Sequence, residues 1–231
     1  MYNNMYYGND PWLLAVFAML IVSFIVQGSV QRTFKRFSSL AASSGITAAD
    51  MADHLLRDNG SSVSITQVPG MLTDHFNPKT NVVGLSDAVY GQRSVAALAV
   101  AAHEIGHVLQ HEQGYAPIKL RNFILPVAQI GSSMAPLIIL VGLLIGSFNV
   151  GMIGVCLYAA VLFFQVATLP VEFNASRRGI EMLISGGYIG VDQEGSAKKV
   201  LNAAAMTYVV AALATFVSLL RMFSFVKRNN K

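Results

Sequence analysis

The sequence predicts a mainly α-helical membrane protein, with about four transmembrane helices and a small polar α+β region between the first two. Composition is the first observation behind this: hydrophobic residues make up 54% of the 231 and charged residues only 12%, against roughly 25% charged in soluble domains. The second is a set of four apolar runs of about spanning length. The third is the placing of the basic residues, which stand in twos and threes at the ends of those runs. Such composition excludes a disordered chain. A single cysteine, Cys156, excludes a disulfide scaffold. The scattered cations give no nucleic-acid footprint.

The first run is Trp12 to Val26, preceded by Tyr2, Tyr6 and Tyr7 in the manner of an interfacial aromatic belt. A signal peptide would need a basic start and a small-residue cleavage site; Met1 to Asp10 has no lysine or arginine, so the run is read as an uncleaved anchor. Leu125 to Gly146 and Val150 to Leu169 form a hairpin around the uncharged turn Ser147 to Asn149. The fourth run, Val200 to Leu220, is rich in alanine, which allows close helix packing. Arg32, Lys35, Arg36, Lys119, Arg121, Arg177, Arg178, Lys198 and Lys199 share one side, against Arg221, Lys227, Arg228 and Lys231 on the other. The majority side is the cytoplasmic one. Residues 1–36 are thus an anchor with a basic flank, 37–122 a cytoplasmic region, 123–171 a transmembrane hairpin, 172–199 a second cytoplasmic segment, and 200–231 a last span and tail.

Within the polar region Ala48 to Asn59 reads as an amphipathic helix stopped by Gly60. Ser62 to Val68 and Asn81 to Leu85 read as strands. A helix is expected from Val95 to His111, and it carries His103-Glu104-Ile105-Gly106-His107, an H-E-x-x-H pattern. Positions i and i+4 share a helix face, so both imidazoles can meet one Zn²⁺, with Glu104 placed as general base toward a water activated there. Catalytic zinc takes a third protein ligand. Gln110 and Gln113 stand where the extended H-E-x-x-H-x-x-G-x-x-H pattern requires glycine and histidine, so that class is out. His111 lies one turn too far. Glu172 is separated from the histidines by two spans, which returns it to their side of the membrane; Glu181, Asp192 and Glu194 are its competitors. The alternative for Glu172 is a carboxylate stabilised at a helix amino terminus after Pro170.

Four blocks, GMLTDHFNPKTNVVGLS, AAHEIGHVLQHEQGYAP, TLPVEFNASRRG and KKVLNAAAMTYVVAAL, resemble the YugP-type bacterial membrane zinc metallopeptidases across residues 30 to 220. That family is similar in plan to HtpX-type gluzincins, whose third ligand is the glutamate of an E-x-x-A-D segment. The resemblance implies a zincin-like catalytic region with one Zn²⁺ per chain on His103, His107 and Glu172, and Glu104 as catalytic base. It departs from the family at Ser176, where HtpX-type chains have aspartate, and at Asn77 and Asn174, where YugP-type chains commonly have aspartates. Asn174 and Ser176 are therefore candidate supports of the ligands, and His75 a candidate donor to the transition state. The resemblance also implies a strand that receives substrate as an added strand, here Asn81, Val82, Val83, Gly84 and Leu85.

The implied function is a membrane-embedded zinc endopeptidase of a bacterial cytoplasmic membrane, in contact with the lipid bilayer, cutting membrane or membrane-proximal polypeptides and binding no nucleic acid. The alternative is an inactive, zinc-stabilised scaffold or adaptor. Intramembrane cleavage of the site-2 type is disfavoured, because no L-D-G-like segment lies within a span.

Overall fold

A computed structural model describes residues 11–228; Tyr2, Tyr6, Tyr7, Asp10 and Lys231 lie outside the described residues. The chain folds as α1 (Pro11–Ser38), α2 (Ala48–Asp58), β1 (Ser64–Val68), β2 (His75–Asn77), β3 (Val82–Ser86), α3 (Val95–Glu112), α4 (Ala116–Leu144), α5 (Phe148–Ser185), a short 3-10 turn (Val191–Gln193) and α6 (Glu194–Arg228). The architecture is mainly helical with one small sheet. Among the described residues four helices, α1, α4, α5 and α6, are long and apolar enough to cross a membrane.

Each of these helices outruns the apolar stretch that announces it. α1 continues past Val26 to Ser38, α5 past Leu169 to Ser185, and α6 starts at Glu194 rather than Val200. Helical hydrogen bonding needs no apolar side chain, so the backbone continues where the hydropathy stops. Pro170 falls inside α5 and does not end it. Ends come where a glycine adopts φ +66°, at Gly146 after α4 and at Gly187 after α5.

By contacts the chain forms two compact units, and the four long helices contribute to both. The first comprises the described residues up to Ile25, Leu120–Thr168 and Thr207 onward. Large apolar side chains such as Phe24, Phe123 and Leu144 are exposed on it, as suits a surface in lipid. Hydroxyls within these helices bond back to their own backbone, Thr168 to the Phe164 carbonyl and Thr215 to that of Ala211 (both 2.8 Å), which satisfies both side chains within their own helices.

The second unit comprises Val26–Lys119 and Leu169–Met206. Its core joins Met51 and Leu56 of α2, Leu85 of β3, Leu98 and Ile105 of α3 and Leu183 of α5, all fully buried or nearly so. Thr47 caps α2 by accepting from the Asp50 amide, and Ser94 caps α3 by accepting from the Ala97 amide (3.2 Å). The sheet order is β1-β3-β2, with β1 parallel and β2 antiparallel to β3. Side chains alternate across it. Phe76, Val83 and Leu85 face the core, while His75 lies across Gly84 on the other face.

Gln193, 9% exposed, ties the start of α6 to the loop after α1. Its Nε2 donates to the Ala41 carbonyl (2.8 Å), and its Oε1 accepts from the Ser43 amide (3.1 Å). Gln193→Ala leaves these groups unpaired. The expected cost is about 2 kcal/mol, which thermal unfolding in detergent should show as a loss of roughly 4–8 °C; an unchanged melting temperature would contradict the clasp.

Candidate metal centre

His103 and His107 lie one turn apart on α3, their rings edge-to-face with centroids 4.7 Å apart. What brings a third ligand to them is the close approach of α5. A Cβ placed on Gly106 would fall 2.6 Å from the Ala175 carbonyl oxygen, and one on Gly179 would fall 3.0 Å from the Ala102 carbonyl carbon. The two backbones therefore touch, at a glycine of each helix set against an alanine of the other. Glu172 stands one turn before Ser176 on the same face of α5, and this contact delivers it to the imidazoles.

The Glu172 Oε2 atom lies 3.4 Å from His103 Nε2 and 3.6 Å from His107 Nε2. All three ligand atoms fall within 4.8 Å of one another, so the trio could hold a metal ion. Glu172 is 4% exposed, and its Oε2 is buried with no hydrogen-bond partner. An orphaned buried carboxylate oxygen is costly. A cation resolves it: tetrahedral zinc with bonds of 2.0–2.1 Å sets its ligands about 3.3 Å apart, close to the two separations from Glu172. The donor set and the spacing fit zinc.

The far nitrogens of both rings are also engaged. His103 Nδ1 meets Ser176 Oγ at 3.0 Å, a bond that fixes the orientation of the ring. His107 Nδ1 meets Gln110 Oε1 at 2.9 Å, and Gln110 Nε2 donates to the Val171 carbonyl at 2.8 Å. A carbonyl only accepts, which turns the Gln110 NH₂ toward Val171 and its oxygen toward His107. His107 must then carry its proton on Nδ1, leaving the Nε2 lone pair facing Glu172. Gln110 is fully buried. Burial presses the His107 imidazole toward its neutral form, but the Glu172 and Glu104 carboxylates and the Gln110 bond outweigh this and raise its pKa. Glu104 itself, 8% exposed, sits beside the first histidine on the buried side of α3.

Other expected site residues are placed differently. His75 turns away: its neighbour Phe76 meets His111 of α3 edge-to-face at 5.8 Å, so alternation puts His75 on the opposite face of the sheet, where its Nδ1 donates to the Thr73 carbonyl (2.9 Å). Asn81 to Leu85 offers no free strand edge, because β3 is the central strand, paired on both sides. The open edge nearer α3 belongs to β2. The amino-terminal reading of Glu172 is overturned, since α5 begins at Phe148. Of the competing carboxylates, Glu181 pairs with Arg177 (3.8 Å) and Glu194 with Lys198 (2.6 Å), and none joins the cluster. Asn174 touches neither histidine and accepts instead from Gln110 Nε2 (3.0 Å). Gln110 is the supporting residue that the sequence does not single out; its only signal is a polar side chain three places after His107 on the same helix.

Comparison with known proteins agrees with this chemistry. A family model described as "Putative neutral zinc metallopeptidase" matches residues 12–227. The chain is 45% identical over 211 residues to "Putative membrane protease YugP" of Bacillus subtilis (strain 168), covering 91% of this chain and 94% of that protein. No solved structure matches.

Two predictions follow from the contact and the supporting bonds. Gly106→Ala should lower both melting temperature and zinc affinity, the latter at least 10-fold, although glycine to alanine in a free helix stabilises by about 1 kcal/mol; a stabilised variant with full zinc affinity would contradict the close approach. Ser176→Ala should weaken zinc by roughly 10-fold, as loss of a ligand's support commonly does, and Ser176→Asp should bind at least as tightly as wild type, both read by chelator competition.

Proposed function

Because the chain belongs to the family described as neutral zinc metallopeptidases, we propose that it is a membrane-embedded zinc endopeptidase acting on membrane or membrane-proximal polypeptides. The observation that carries this is the buried, unpartnered Glu172 Oε2 aimed at the Nε2 atoms of both histidines of the H-E-x-x-H helix. His103 and His107 would hold one Zn²⁺ through Nε2, and Glu172 through Oε2. When bound, the ion supplies Lewis acidity, polarising a peptide carbonyl and acidifying water at neutral pH.

The rest is done by the chain's own residues. Glu104 takes a proton from the attacking water at its carboxylate and hands it to the departing amine, the two halves of general acid–base catalysis. Gln110 and Ser176 hold the imidazoles in register. An extended substrate adds to the free edge of β2, through backbone bonds that impose little sequence preference. The four apolar helices anchor the enzyme in a bilayer. The excess of basic residues flanking them on one side supports a cytoplasmic site in a bacterial cell membrane. The Bacillus subtilis relative is likewise named a membrane protease.

The test pairs zinc analysis with cleavage of an unfolded polypeptide by detergent-purified protein. Wild type should hold one zinc and cleave. Glu104→Gln should keep zinc while its turnover falls by about 10²–10⁴-fold, and Glu172→Ala should lose the metal. Full activity in Glu104→Gln would overturn the mechanism; zinc without turnover in wild type would favour the scaffold reading.

A further inference from the structure

We infer that Arg178 is a positioning residue for His107, acting through the side-chain amides of Asn174 and Gln110. This rests on the metal role proposed for His107. The Gln110 NH₂ has two hydrogens, one held by the Val171 carbonyl (2.8 Å) and the other given to Asn174 Oδ1 (3.0 Å). That same Oδ1 accepts from Arg178 Nε at 2.9 Å. Arg178 is itself fixed: one terminal nitrogen donates to Gln113 Oε1 (2.6 Å), and the guanidinium lies 5.8 Å from the centre of the Tyr115 ring. Its neighbour Arg177 differs, being exposed and paired with Glu181.

The logic is one of donors and acceptors. A guanidinium has only donors and stays charged, so it can face only the oxygen of Asn174. With that oxygen held, Gln110 meets an acceptor and keeps its own oxygen on His107. Without Arg178 the Asn174 oxygen keeps only the Gln110 hydrogen, and its amide can turn. Its NH₂ would then confront the Gln110 NH₂, and that clash opposes the hold of the Val171 carbonyl on Gln110, so that a turned Gln110 becomes populated. A turned Gln110 offers hydrogens to His107 Nδ1, which moves the imidazole proton to Nε2, the atom that faces Glu172 and the metal position. The cation therefore fixes the polarity of the Asn174 amide and, together with the Val171 carbonyl, that of Gln110 and the tautomer of a ligand.

Aspartate at position 174 separates this role from simple packing. A carboxylate presents an acceptor in either orientation, so it needs no guanidinium to direct it. The experiment measures zinc affinity by chelator competition for wild type, Arg178→Ala, Asn174→Asp and the double variant, with kcat and KM on a peptide substrate alongside. Arg178→Ala alone should weaken zinc about 10-fold and lower kcat, with KM little changed. In the Asn174→Asp background the same substitution should cost less than about 3-fold, a rescue expected of acceptor polarity. An equal or larger loss in both backgrounds would assign Arg178 a structural role and overturn the relay, as would full zinc affinity in Arg178→Ala. Wild type that binds no zinc at all would remove the metal reading beneath it.

Discussion

Everything at the site depends on two helix backbones in contact. Gly106 of α3 and Gly179 of α5 each lack the side chain that would hold the helices apart, and each meets an alanine of the other helix. Steric contact between backbones tolerates no drift, because interiors pack at crystal-like density and a single methyl is felt. The H-E-x-x-H helix supplies two imidazoles by its own periodicity, but a third ligand from a distant helix must be delivered by packing. The glycine inside the motif, Gly106, is thus as much a part of the centre as the residues that bind.

Around the ligands the chain uses neutral groups where carboxylates are the commoner choice. A hydroxyl supports His103 and an amide supports His107. Neutral partners fix orientation without adding negative charge, so within the cluster itself the charge rests on Glu172. Amides are also ambiguous, since either end can face a neighbour, and a site built on them needs something that breaks the ambiguity. The Val171 carbonyl, buried with Gln110, is one such element.

Much of this was legible in the sequence, for reasons that can be named. Two histidines and a glutamate interrupting an alanine-valine helix are conspicuous, and the i,i+4 rule needs no tertiary information. Glu172 was legible because two intervening spans return the chain to the same side, and a family resemblance supplied the motif around it. The helix ends were not, because hydropathy marks where side chains leave the hydrocarbon and says nothing of where the backbone stops coiling; hence α5 carries Glu172 within one unbroken helix. β2 spans only His75–Asn77, too short for alternation to register. Without it, strand Val82–Ser86 could not be recognised as central, nor His75 as facing away. Gln110 carries no pattern of its own, since a polar residue that supports a ligand looks in sequence like any other polar residue on a helix, and Ser176 stood out only through the family resemblance.

The central claim is that two imidazoles and one carboxylate converge on a single metal ion. Zinc K-edge X-ray absorption on the purified protein reads that ligand set without relying on activity. The account predicts only nitrogen and oxygen neighbours at about 2.0–2.1 Å, with the outer-shell scattering of two imidazoles, falling to one in His107→Ala. A sulfur neighbour near 2.3 Å, or a spectrum unchanged when His107 is removed, would contradict it.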